Sequence, residues 1–112
     1  MDLSSRIQDD VMIVTVNALR IDAAVAIQFK DHMRAILDRA QGRVVLDLAQ
    51  VEFVDSSGLG AIVAAMKQMR DGTRLELAAL QPNVEKVFRL TRMDTVFPIH
   101  VAADAAVNPH AS

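Results

Sequence analysis

Apolar and polar positions change their spacing several times along the chain. Val11-Met12-Ile13-Val14-Thr15-Val16 is short, apolar and rich in β-branched residues, which reads as a strand. Asp9-Asp10 can turn the chain into it from a shorter first strand near Leu3–Ile7. Asp22 reads as a helix N-cap, because its carboxylate can accept from the free N–H groups of a first turn. Val25, Phe29, Met33, Ile36 and Ala40 then recur at helical spacing, with Gln28, Lys30, Asp31, Arg34 and Asp38 between them. That predicts an amphipathic helix with one buried stripe, ended by Gly42.

Val44-Val45-Leu46-Asp47-Leu48 is close to continuously apolar, as expected of a central strand covered on at least one face. A loop through Phe53-Val54 leads into a second helix, with Leu59, Ile62, Val63 and Met66 inward and an end near Asp71-Gly72. Leu75, Leu77 and Ala79 alternate with Arg74, Glu76 and Ala78, which predicts a further strand. Pro82 suits the first turn of a third helix, whose face is Val84, Val87, Phe88 and Thr91. Val96-Phe97-Pro98-Ile99 reads as a short edge strand, since Pro98 has no N–H for a ladder. Residues 102–107 suggest a short last helix, and Asn108–Ser112 a disordered tail. Alternating strands and helices give an α/β domain over residues 1–107. It is expected to hold a small mixed sheet of four or five strands, with helices mainly on one face.

Composition narrows the function. A chain of 112 residues suits one compact domain, and 52% hydrophobic residues can fill its core. With four Phe and no Trp or Tyr, base-stacking recognition of nucleic acid is disfavoured. The net charge is -2 and the basic residues are scattered, so no stripe follows a phosphate backbone. No cysteine is present, which excludes a thiolate metal site or a cysteine nucleophile. No signal-peptide pattern opens the chain, and the apolar runs are too short to insert into a membrane. A soluble cytoplasmic protein is the expectation.

Asp55-Ser56-Ser57-Gly58-Leu59-Gly60 stands apart chemically. It joins a strand to a helix, where free N–H groups and the positive end of the helix dipole are exposed. Gly58 and Gly60 remove side-chain bulk there, so a backbone or ligand can come close. On its own, such a segment is more often a capped turn than a site.

The stretch Val44–Leu48, then Val51-Glu52-Phe53-Val54-Asp55-Ser56-Ser57-Gly58-Leu59-Gly60, resembles the signature of the STAS family of anti-sigma factor antagonists. Arg20-Ile21-Asp22 is similar to that family's entry to its first helix, and Leu75–Leu80, Val84–Thr91 and Val96-Phe97 to its C-terminal half. The resemblance implies the STAS fold and a phosphorylation-controlled partner switch. It makes Ser56 the phosphoacceptor and Asp22, Asp55, Ser56, Ser57, Gly58, Leu59 and Gly60 the partner-binding edge. The implied partners are an anti-sigma factor with serine kinase activity and a resetting serine phosphatase, with no cofactor. Asn17-Ala18-Leu19 departs from the family, many of whose members carry a Gly before the first-helix Asp.

The rival readings are an unphosphorylated STAS adaptor of a lipid-transport ATP-binding cassette complex, and an enzyme using Ser56 or Ser57 as nucleophile. The second lacks the Gly-x-Ser-x-Gly elbow. Gly58–Gly60 is neither a dinucleotide fingerprint nor a P-loop. His32, His100 and His110 lack helical metal-site spacing, and His32 is expected beside the buried stripe of the first helix. Met33, Met66, Met69 and Met93 read as core fillers.

Overall fold

A tight hairpin starts the fold. In the computed structural model, which describes residues 1–107, Asp9 and Asp10 have φ of 50° and 66°. Two consecutive positive φ values give the turn whose twist matches a two-residue hairpin, and Asp tolerates them better than most residues. The turn pairs β1 (Leu3–Gln8) antiparallel with β2 (Val11–Val16), Gln8 lying opposite Val11. The tail expected at Asn108–Ser112, and His110 with it, lies outside the described residues.

The order then runs β3 (Arg20–Ile21), α1 (Ala26–Leu37), β4 (Arg43–Asp47), β5 (Phe53–Val54), α2 (Ser56–Lys67), β6 (Arg74–Ala78), α3 (Pro82–Leu90), a 3₁₀ turn (Met93–Thr95), β7 (Ile99–His100) and α4 (Ala103–Val107). The main sheet has strand order β1-β2-β4-β6-β7, parallel except for β1. β3 and β5 make a separate two-stranded parallel ribbon. This is the mixed five-stranded sheet the pattern predicts.

Side-chain alternation divides the core. Val14, Val44, Leu46, Leu75 and Leu77 pack on one face with Phe29 and Met33 of α1, Ile62 of α2 and Val84 and Phe88 of α3. Phe88 meets Phe97 edge-on, with ring centres 6.0 Å apart. Val11, Ile13, Val45 and Ala78 point to the other face, which α4 covers with Ala103, Ala106 and Val107. Three helices on one side and one short helix on the other match the expected one-sided packing.

Several local expectations need correction. Asp22 does not cap α1; the helix begins at Ala26, and Asp22 closes the preceding turn by accepting from the Ala24 N–H at 3.1 Å. The buried stripe of α1 is Ala26, Phe29, Met33 and Leu37, while Val25 and Ile36 are only half-buried. Phe29, Met33 and Ala40 are buried as expected, and the stripe differs only in taking Ala26 and Leu37 in place of Val25 and Ile36. His32 is exposed, away from that stripe. In α2 the residues fully buried are Gly58, Ala61, Ile62 and Ala65, and Leu59, Val63 and Met66 border the surface. The edge strand lies at Ile99–His100, because the 3₁₀ turn and Phe97 occupy the residues before it.

The largest surprise is Glu76. Strict alternation would set it outward, yet it is 1% exposed on the α4 side of the sheet. Arg43 donates to it twice, from Nε to Oε2 at 2.8 Å and from Nη2 to Oε1 at 2.7 Å. Arg74 donates from Nε at 2.9 Å, and the His100 Nε2 sits 2.7 Å from Oε1. Burial alone would raise the pKa of Glu76. The hydrogen bonds from Arg43 and His100, and the charges of Arg43 and Arg74, outweigh it and bring the pKa to about 2. An ionised carboxylate only accepts, so Nε2 of His100 carries the proton.

Candidate functional site

Parallel strands end together, and the loops beyond β4 and the β3–β5 ribbon meet at that end. Asp55 organises them. It is the N-cap of α2, with extended backbone, and its Oδ1 accepts from the Gly58 N–H at 2.8 Å. Its Oδ2 accepts from the Ala23 N–H at 3.1 Å, in the turn that Asp22 closes. The Gly58 N–H chiefly holds the Asp55 carboxyl below the ordinary carboxylate range. The N–H groups of Ala23 and Ser57 and the Arg20 charge add to that, against an opposing desolvation.

Gly58 is required by a close approach. A Cβ there would stand 1.9 Å from the carbonyl oxygen of Ile21, so the β3 backbone lies directly on the first turn of α2. Gly58 is buried by that contact and works inside the domain. A Cβ on Gly60 would meet nothing within 4 Å. Gly60 is exposed, and its lack of a side chain leaves room for something outside the chain.

Ser56 and Ser57, the first two residues of α2, are both exposed. Only Ser56 opens onto a groove of about 470 Å³ between α2 and the end of α3. Leu59, Gly60, Val63, Ala64 and Lys67 form its α2 wall, and Thr91 and Met93 the opposite one. The spacing from Ser56 through Gly60 and Val63 to Lys67 is that of one helix face. Ser57 lies off that face.

Beside this edge Arg20 pairs with Asp22, Nε to Oδ2, at 3.1 Å and stacks 4.3 Å from the centre of the Phe53 ring. Leu19 is 59% exposed and Phe53 40%, so apolar surface continues around the β3–β5 ribbon. Asp22, Asp55, Ser56, Ser57, Leu59 and Gly60 therefore share one end of the molecule, with Gly58 beneath them. The far wall of the groove and the Arg20–Phe53 pair were not singled out from sequence. The sequence pattern points Leu59 and Val63 inward, and their half-burial is what exposes the groove. Among the described residues no histidine hydrogen-bonds Ser56 or Ser57; the His100 ring is held by Glu76. No group of three or more His, Asp or Glu able to hold a metal occurs among them.

The STAS domain family model matches residues 2–106, which spans the whole arrangement described above. The chain belongs to the STAS domain family. Its fold and motif accord with that family's anti-sigma factor antagonists. One relative, BtrV of Bordetella bronchiseptica, a candidate anti-sigma factor antagonist, is 32% identical over 77% of this chain and 75% of its own. An anti-sigma factor antagonist from Mycobacterium paratuberculosis superposes with a TM-score of 0.86 at 25% identity, covering 99% of this chain and 94% of that one. A STAS domain protein from Planctomyces limnophilus gives a TM-score of 0.88 at 23% identity over 100% of both chains, a likeness of fold. Among the described residues of this STAS domain, no helix is long and apolar enough to cross a membrane.

Proposed function

We propose that this STAS domain is a non-catalytic, cytoplasmic anti-sigma factor antagonist controlled by phosphorylation of Ser56. The observation that carries the reading is the position of Ser56: an exposed hydroxyl at the start of α2, directly after the capping Asp55, on the rim of an apolar groove. An unmodified Ser56 leaves the groove and the neighbouring edge open to an anti-sigma factor that is also a serine kinase. Phosphate adds about -1.5 to -2 charges at neutral pH. A partner that buries apolar groove walls must then strip water from a dianion at their rim, which opposes docking. A serine phosphatase restores the binding form. The relatives named as anti-sigma factor antagonists support the class of partner.

The test is incubation with ATP and the cognate anti-sigma factor kinase, followed by mapping of the phosphate by mass spectrometry. One phosphate on Ser56, absent in Ser56→Ala, is the expected result. Phosphate on Ser57 of the wild type would overturn the assignment. Calorimetry then compares partner affinity for the wild type, the phosphoprotein and Ser56→Asp. The phosphoprotein should bind several-fold to about a hundredfold more weakly, and Ser56→Asp should lie between. Equal affinities would instead support an adaptor that works without phosphorylation.

A further inference from the structure

β1 is an edge strand of six residues, from Leu3 to Gln8, with no proline and no bulge, and one row of its backbone groups has no neighbouring strand. Which row follows from the hairpin. Asp2 accepts at its carbonyl from the Asn17 N–H at 2.9 Å, so even-numbered residues bond toward β2. The N–H and C=O groups of Leu3, Ser5 and Ile7 therefore point outward. The side chains of these three stand on the α1 side of the sheet, opposite Val16, Val14 and Met12. Ile7 is 65% exposed although it sits in a regular strand.

We propose that β1 is a homodimer interface, pairing antiparallel with β1 of a second copy about a two-fold axis through Ser5. This register is the one in which all outward groups meet: Ser5 exchanges hydrogen bonds with the partner's Ser5, and Leu3 with the partner's Ile7. Exposed Ile7 then packs against the partner's Leu3. On the opposite face Arg6 comes opposite the partner's Ser4, and Asp2 opposite the partner's Gln8. The right-handed twist draws together the diagonal that runs toward both N-termini. That diagonal sets Arg6 against the partner's Asp2 and parts the two Arg6 side chains. A lone charge on an edge strand ordinarily blunts it. Here the two-fold matches each Arg6 with an aspartate, and neither residue takes part in an ion pair among the described residues.

A second copy suits this edge better than a head-to-tail contact. The other edge of the sheet, β7, offers only two residues, too few to pair with the length of β1. The two-fold uses the same stretch, residues 2–8, on both sides and closes on itself. β1 takes no part in the groove beside Ser56, so a dimer leaves that groove free, and this inference stands or fails apart from the proposed switch.

Sedimentation velocity of the full chain from micromolar to millimolar concentration tests it. A monomer–dimer equilibrium is expected. Arg6→Asp should weaken the dimer by roughly tenfold, and Asp2→Arg combined with Arg6→Asp should restore it, since the swap keeps the charge match. Ser5→Pro removes an outward N–H that β2 does not use, and should leave a folded monomer by circular dichroism. A wild type that stays monomeric at millimolar concentration overturns the proposal. So does a dimer indifferent to Ser5→Pro and to Arg6→Asp, or association that continues past the dimer.

Discussion

The carboxylate of Asp55 reaches the Ala23 N–H at 3.1 Å, across 32 residues of sequence. With its other oxygen it caps α2 through Gly58. One side chain thus sets both the start of the helix that carries Ser56 and the turn that carries Asp22. The edge that carries Ser56 is assembled from two distant segments, which the β3–β5 pairing and these two oxygens hold together.

Asp55→Ala should remove both bonds. Loss of an N-cap should lower the thermal midpoint by several degrees. Partner affinity should fall as well, because the Asp22 turn loses its tie. Asp55→Asn keeps an acceptor for one of the two N–H groups and should fall between. Thermal unfolding by circular dichroism checks the order; equal midpoints for all three proteins would contradict it.

Gly58 and Gly60 should respond oppositely to alanine. At position 58 the new Cβ meets the Ile21 carbonyl, which is backbone and cannot swing aside. Overpacking of this kind costs about 1–3 kcal/mol or more. At position 60 the space is open, and replacing a helical Gly by Ala should stabilise by about 0.5–1 kcal/mol. The same Gly60→Ala protein should bind its partner less well if the bare backbone there serves an external contact. Urea unfolding and calorimetry separate the two effects.

Acid should unfold the protein partly through Glu76. Its folded pKa is about 2, below the ordinary glutamate value of 4.5, so the unfolded chain binds the proton more readily. The resulting stability is fully present above about pH 4.5 and is lost as pH falls through about 2. Glu76→Gln should flatten the urea midpoint across that window. At pH 7 it should cost roughly 2–3 kcal/mol, less than the ~3–5 kcal/mol for a wholly buried pair, because Arg43, Arg74 and His100 reach solvent. An unchanged acid limb in the variant would remove Glu76 from this role.

Phosphorylation of Ser56 should leave the fold standing. The helix N-terminus favours an anion by about 0.3–1 kcal/mol, and the Asp55 carboxylate beside it repels, so the local effects nearly cancel. Amide NMR shifts should stay near Ser56, with the thermal midpoint within a few degrees of the unmodified protein. Shifts spread through α1 and α3 would mean that the modification reshapes the domain.

Much of this architecture was legible in the order of residues. The strand at Val11–Val16, the helix opened by Pro82 and the strand-to-helix junction at Asp55–Gly60 follow from spacing, backbone preference and motif. The stripe of α1 was legible at Phe29, Met33 and Ala40, whereas the helix start was not, because Asp22 has two uses for its carboxylate and the turn won over the cap. Glu76 was misplaced for a different reason. Alternation assigns a charged residue outward, and only three partners from β4, β6 and β7 make its burial tolerable. Those partners lie 33, 2 and 24 residues away, so no local window contains them all. The groove beside Ser56 escaped likewise, since its Thr91 and Met93 wall arrives from the far end of α3.

Arg43 also donates from Nη2 to the carbonyl of Ala106 at 2.7 Å, a link that spans 63 residues. Synthesis runs from the N-terminus, so β4 leaves the ribosome long before α4 can cover Ile13, Val45 and Ala78. During that interval the second face of the sheet is bare, and Glu76 lacks His100. The nascent chain therefore has the face covered by α1, α2 and α3, and the helix start at Ser56, in place before its other face closes.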